Sequence, residues 1–209
     1  SYYMFELWRP ERMRRASEYL LRYETKGGIY LGFPQGLDRG PLDNKAKFYR
    51  RCVEAGLRTA PILFSLDGGK VKRLAAATDR LPLVDLFVKP NKGKGGRAAR
   101  RWDHVGDGRF RSVKGKVLTA PALMQRLDQE SRSGRLIVGP RLSNHPALAD
   151  LSNGALSTVR IVTCLDENGR AEVTNAVLRM SQGKNVTVDN FHAGGLAAEV
   201  DIATGRLGE

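Results

Sequence analysis

Cysteine is nearly missing from this chain: Cys52 and Cys164 are the only two in 209 residues. Both fall in apolar-periodic segments. They read as buried free thiols of a protein kept in a reducing, cytoplasmic compartment, and a disulfide framework is excluded. Histidine is equally scarce, with His104, His145 and His192 scattered and no Cys/His spacing of the kind zinc requires. No apolar run approaches the roughly 18 residues of a membrane span, and none near the start reads as a signal segment. No repeat or low-complexity tract is present. No glycine run leads into Gly-Lys-Ser/Thr, and no GxGxxG occurs, so neither a Walker A loop nor a dinucleotide fingerprint is available.

What is present is charge of one sign. Lysine and arginine number 35 against 22 acids, giving +13 and a pI near 10.1. Such a surface favours anionic partners: nucleotides, nucleic acid, acidic sugars or an anionic membrane face. A hydrophobic content of 41% still marks a globular chain with a real core. The length suits one domain of two lobes or two small domains.

The most informative stretch is Leu83 to Arg101. An apolar run short enough for a buried strand ends at Lys89, and Pro90 closes it. The loop that follows, Asn91 to Gly96, holds Gly93, Gly95 and Gly96 with Lys92 and Lys94. Glycines let backbone N–H groups turn toward a ligand, successive N–H groups make an anion nest, and lysines add point charges. The loop therefore suits a polyphosphate. The same composition also serves loops that touch nucleic acid.

Around that stretch the pattern is mixed. Pro10 to Glu24 reads as a helix. A second helix starts at Asp43 or Asn44 and stops at Gly56. It carries Lys45 in its first turn, where the macrodipole disfavours a cation, so Lys45 is either held for a ligand or solvated. Strands are expected at Ile62–Leu66, Val71–Ala77, Arg109–Val113 and Leu196–Ile202, an irregular stretch at Trp102–Gly108, and a helix at Thr119–Arg132. Leu136 to Val138 reads as a buried strand leading into Gly139-Pro140, a natural hinge whose backbone could read a base edge. Ser157–Leu165 and Ala171–Met180 form a hairpin through Asn168-Gly169. Arg160 and Arg179 interrupt them, and an arginine in a buried strand needs a partner. For Arg160 a protein carboxylate and an anionic ligand stand level. For Arg179 the ligand is favoured. Asp189-Asn190 and Gly194-Gly195 follow a third short strand and suit Mg²⁺ or phosphate, or a capped polar turn.

In this order the motifs resemble the ATP-grasp superfamily, and its sugar-transfer-associated, glutamate-ligase-like branch in particular. The likeness rests on Leu42–Phe48, Phe87–Pro90, Asn144-His145-Pro146, Ser157–Thr163 and Val188–Gly195. It implies an α+β fold in which two lobes clasp ATP between antiparallel sheets. The expected division is a helical segment over 1–41, a lobe with a glycine-rich lid over 42–140 and a second lobe over 141–209.

The resemblance further implies that Lys45, Lys89, Lys92 and Lys94 face the nucleotide under a lid of Gly93, Gly95 and Gly96. Val138, Gly139 and Pro140 would line the adenine side. Arg160 and Arg179 would act on the phosphates or a developing acyl phosphate, with Asn190, Gly194 and Gly195 near phosphate and Asp189 on Mg²⁺. The implied reaction is ATP-dependent activation of a carboxylate for attack by an amine or similar nucleophile, in polysaccharide or peptide modification. The C-terminal acid-x-Asn element of such enzymes does not occur before Glu209, so the sequence is expected to be a fragment. Two alternatives stand beside this: a basic nucleic-acid-binding protein, for which the basic cluster lacks interleaved stacking aromatics, and a nucleotide-binding scaffold without turnover.

Overall fold

The structure, a computed structural model, describes residues 6–18, 40–74, 80–93, 95–152, 154–181, 187–189 and 194–208. The chain divides into two compact units, Ser1–Arg39 and Gly40–Glu209. In the first, the described residues form a single α-turn, α1 (Pro10–Met13), and a 3-10 turn at Ala16–Glu18. The longer helix expected from Pro10 is cut short within the described residues. Arg9 stands at its N-cap and makes no side-chain capping hydrogen bond. Residues 19–24 of that expected helix lie outside the described residues.

The second unit opens with a short turn of helix, α2 (Gly40–Asp43), and then α3 (Lys45–Glu54). Asn44 caps α3, its side chain accepting from the Lys47 N–H at 3.0 Å. At the other end Gly56 takes φ +64°. The Leu57 N–H reaches the Cys52 carbonyl at 2.8 Å and the Gly56 N–H reaches Val53 at 3.1 Å, the bond pair of a Schellman motif.

Seven antiparallel strands follow in the spatial order β2-β1-β7-β3-β4-β5-β6. They are β1 (Phe64–Asp67), β2 (Lys70–Arg73), β3 (Leu86–Pro90), β4 (Arg100–His104), β5 (Arg109–Ser112), β6 (Val117–Thr119) and β7 (Leu136–Pro140). Between β6 and β7 lies α4 (Ala120–Ser131), capped by Thr119 with Pro121 in its first turn. The β1–β2 hairpin turns on Gly68 and Gly69, both at positive φ, as a two-residue hairpin requires.

Two strands, β4 and β6, run where no strand was expected. In β4 only Trp102 is buried; its neighbours are arginines and acids that neutralise one another, Arg100 with Glu130 and Arg101 with Asp103. That pairing lets a charge-rich segment join a sheet and hides it from a hydropathy reading. The second strand is shorter than expected, stopping at Arg73; residues 75–79 lie outside the described residues.

Side-chain alternation gives the sheet two different faces. On one, Phe64, Leu66, Leu86, Val88, Trp102, Phe110, Leu136 and Val138 pack with Leu123 and Leu127 of α4 as the main core. Each such side chain contributes about 1.5–3 kcal/mol by leaving water. On the opposite face Ile137 joins Ile62 and the α3 residues Ala46 and Tyr49 in a smaller cluster. Phe87, Lys89 and Gly139 share this second face, since Phe87 lies opposite Gly139 and Lys89 opposite Ile137.

A second sheet of three antiparallel strands has the order β10-β9-β8, from β8 (Thr158–Leu165), β9 (Ala171–Met180) and β10 (Leu196–Val200). The β8–β9 hairpin forms at the expected turn, with Gly169 at φ +74°. A register shift at Val162/Thr163 leaves Thr174 as an extra residue, so Val173 falls on the face opposite Asn175, Val177 and Arg179 rather than sharing it. From Val159 to Leu165 β8 is exposed, so Arg160 is not an arginine in a buried strand. Cys52 is buried as expected, whereas Cys164 is exposed on β8. Among the described residues no helix is long and apolar enough to cross a membrane.

Candidate functional site: a cationic cleft between two sheets

The second face of the large sheet forms the floor of a cleft of about 1200 Å³. Phe87 and Lys89 of β3 and Ile137 and Gly139 of β7 line that floor. Lys45, Phe48 and Tyr49 of α3 and the segment Thr59–Ile62 make one wall, and residues 92, 93 and 95–99 another. The small sheet and its approaches supply the far wall through Gly154–Leu156, Thr158, Arg160 and Thr187–Asp189.

Two amines dominate the near end. Lys45 stands at the start of α3, where the positive end of the helix dipole disfavours a cation. It is held there by Asn91, which is 1% exposed. The Asn91 carbonyl accepts the Lys45 backbone N–H at 3.1 Å, and its side-chain oxygen accepts the Ala46 N–H at 2.9 Å. The Lys45 ammonium donates to the carbonyls of Asn91 at 3.3 Å and Gly93 at 3.2 Å. One of its three donors is left over for a ligand. Burial lowers the Lys45 pKa from its ordinary value. Lys89 is also lowered, first by burial and then by the nearby Lys45 charge. Two amines that have both lost water, one of them also facing the other's charge, are poised for an anion.

Over this end runs the turn with Gly93 at φ +115°, Gly95 at +74° and Gly96 at +68°. Ala98 in the same turn adopts φ +57°, a conformation that costs a non-glycine residue about 1–2 kcal/mol. Lys92, Gly93, Gly95 and Gly96 are exposed along the cleft. At the floor Gly139 has a different reason to be glycine. A Cβ there would stand 2.5 Å from the Pro61 carbonyl oxygen, so the wall segment lies directly on the hinge backbone.

Across the cleft, Asp189 is buried and held on both sides. One oxygen accepts from Arg179 at 2.9 Å and the other from the Thr158 hydroxyl. Arg179 therefore has a protein carboxylate as partner, where the sequence favoured a ligand. Arg160 leaves the same sheet face as Thr158 and Arg179, because Thr158 lies opposite Arg179 and Arg160 opposite Val177. It reaches the cleft wall and is exposed.

The expected site residues thus divide into three groups. Lys45, Lys89, Lys92, Gly93, Gly95, Gly96, Gly139, Pro140, Arg160 and Asp189 line one cleft. Val138, Arg179, Gly194 and Gly195 are not on its wall: Val138 points into the main core, and Arg179 meets the cleft through Asp189. Lys94 and Asn190 lie outside the described residues. Sequence reasoning passed over Asn91, whose signal was its place directly after Lys89-Pro90, and Thr158, whose hydroxyl orients Asp189.

Among the described residues no three His, Cys, Asp or Glu side chains gather as a metal site. Asp189 is the one acid on the described cleft wall, and both its oxygens are engaged. These residues do not by themselves fit a magnesium ion. They do fit a polyphosphate: Lys45, Lys89, Lys92, Arg97 and Arg160 share the wall, beside Arg101 and Arg141, which are engaged by protein carboxylates.

A cleft of this kind between two antiparallel sheets, with a lysine on the floor strand, a lysine at a helix start and a glycine turn above, defines an ATP-grasp protein. The chain belongs to the sugar-transfer associated ATP-grasp family, whose model matches residues 39–209. ATP-grasp proteins generally use ATP and Mg²⁺ in ligase-like reactions. No match was found among curated proteins or among solved structures.

Proposed function

We propose that this protein is an ATP-dependent carboxylate–amine ligase, acting in the modification of a polysaccharide or peptide in the cytoplasm. A carboxylate oxygen of the first substrate attacks the γ-phosphorus of ATP. The bond from that phosphorus to the ADP oxygen breaks, and an acyl phosphate forms. An amine or similar nucleophile then attacks the acyl carbon, inorganic phosphate leaves, and the nucleophile gives up a proton.

The observation that carries the reading is the pairing of Lys45 and Lys89, both lowered in pKa, at one end of a single cleft. Phosphoryl transfer needs little covalent help from a protein; it needs position and cations where charge develops. Lys89 and Lys45 would hold the phosphates, and the backbone of Gly93 to Gly96 would cover them. Arg160, across the cleft, would meet the transferred phosphoryl group or the acyl phosphate. The apolar floor and wall, Ile62, Ile137 and Phe87, suit a base. Magnesium would enter with the phosphates of ATP, and no step is assigned to it.

The test is binding of ATP with magnesium by calorimetry and thermal shift. At about 100 times its dissociation constant, a ligand adds about 2.7 kcal/mol to stability. Release of ADP on adding candidate acids with amines would then separate a ligase from a binding scaffold. Absence of any shift with ATP or ADP would overturn the reading. So would tight binding of DNA that ATP does not displace, with affinity falling steeply in salt as polyanion binding does.

A further inference from the structure

The chain leaves the large sheet at Pro140 and joins the small one at Thr158. The connection between them includes Asn144-His145-Pro146, a motif for which the nucleotide reading has no use. Its first residue is fully employed. The Asn144 side-chain amide donates to Ser152 Oγ at 2.7 Å and to the Ala155 carbonyl at 2.9 Å, while its oxygen accepts the Ser157 N–H at 2.7 Å. One side chain therefore closes the excursion from 144 to 157, and the 3-10 turn at Pro146–Leu151 fills it.

A second side chain fastens that closed loop to the large sheet. The Arg141 backbone N–H donates to the Asp85 carbonyl at 2.7 Å. Its guanidinium lies 3.2 Å from the Asp85 carboxylate and 3.6 Å from that of Asp103 on β4, and it donates to the Gly154 carbonyl at 2.6 Å. Asp85 is itself fixed by the His104 N–H at 2.9 Å. Gly154 takes φ +83°, so the carbonyl Arg141 grips belongs to a residue in a conformation that favours glycine. Planar guanidinium groups suit such multiple grips, and lysine cannot reproduce them.

We infer that Asn144 and Arg141 are positioning residues that set the distance and angle between the two sheets. They hold Gly154–Ser157 so that β8 begins in the right place and Thr158, with its bond to Asp189, faces Lys89 across the cleft. Neither touches the reacting atoms in this assignment. The consequence for ligand binding rests on the nucleotide reading; the geometric claim does not.

The experiment places spin labels on Cys164, which is exposed on β8, and on a Lys72→Cys substitution, exposed on β2, with buried Cys52 replaced by Ala. Pulsed dipolar spectroscopy then reads the distance between the sheets. Asn144→Ala and Arg141→Ala should each shift and broaden it, and the milder Arg141→Lys should do so in part. Thr119→Ala, which removes a helix cap far from the connection and lowers stability alone, should leave it unchanged. An unchanged distance in the latch variants, or an equal change in Thr119→Ala, would overturn the assignment. In calorimetry with ATP, Asn144→Ala should bind about tenfold more weakly. Its effect should couple to Arg160→Ala on the small sheet and add to Lys45→Met on the large one. If the unsubstituted protein binds no nucleotide, the functional reading falls while the distance measurement still decides the latch.

Discussion

Lys89 sets chemistry against stability in a single side chain. Its amine is held in a half-buried position beside another amine. Replacing it by Met removes a repelled charge and keeps the stem. The expected outcome is a free protein at least as stable as the original, measured by denaturant midpoint, with ATP affinity lowered about 10–100-fold, since hydrogen bonds to charged groups contribute about 1.5–3 kcal/mol. Gly139→Ala should behave in the opposite way. The new methyl meets the Pro61 carbonyl and not the flexible end of a side chain. Overpacking of this sort costs about 1–3 kcal/mol, and the midpoint should fall accordingly before any ligand is added. Lys89 was legible from the apolar run that ends at it, because a lysine closing such a run is visible in one dimension. The Gly139 constraint was not, since the oxygen it must avoid comes from a segment 78 positions earlier in the chain.

At the level of elements, the glycine turn proposed as a lid is the part to watch. Lys92 and Arg97 flank its glycines and are exposed, so trypsin should cut there in the free protein. Saturating ATP should slow that cleavage while leaving cuts at exposed Lys70 or Lys72 on β2 unaffected. Equal protection at both places would indicate general stabilisation and no lid. The helices α3 and α4, the hairpin β8–β9 and the strands β3 and β7 were readable because caps, turn residues and apolar periods are local signals. The strands β4 and β6 were not. In β4 the alternation is carried by two arginines and one aspartate whose burial depends on partners: Arg100 on Glu130 of α4, and Arg101 on Asp103 with Arg141 beside it. The burial of β8 was misjudged for a related reason. Its valines and isoleucine suit a strand, but the strand lies at the edge of a three-stranded sheet and most of its length is in water.

For the molecule as a whole, pH should move stability and binding in opposite directions. Lys45 and Lys89 both have lowered pKa values when folded. The unfolded chain, with lysines near 10.4, then binds more protons than the folded one over the window between each lowered value and that figure. Stability contributed by these two groups therefore rises with pH across the window, and the cost of holding them charged is fully present below it. A bound triphosphate favours the charged amines, so ATP affinity should fall over the same range. Thermal unfolding with and without ATP, compared with the Lys89→Met variant, should show the two trends converge as pH rises. A ligand-induced shift constant to pH 10 would contradict this account. The cleft itself could be foreseen only in outline. Its cations were apparent in the sequence, but their convergence depends on a fold that brings residues 45, 89 and 160 to one place.

The quiet contributor is Asn91. By bonding at once to the start of α3 and, through its backbone N–H, to Arg135 at 2.8 Å, it makes the helix and the two central strands one body. The two ammonium groups then ride on a common frame and do not swing on separate tethers. Their field at the proposed phosphate site is largely in place before any ligand arrives, so little reorganisation energy would remain to be spent in the proposed phosphoryl transfer.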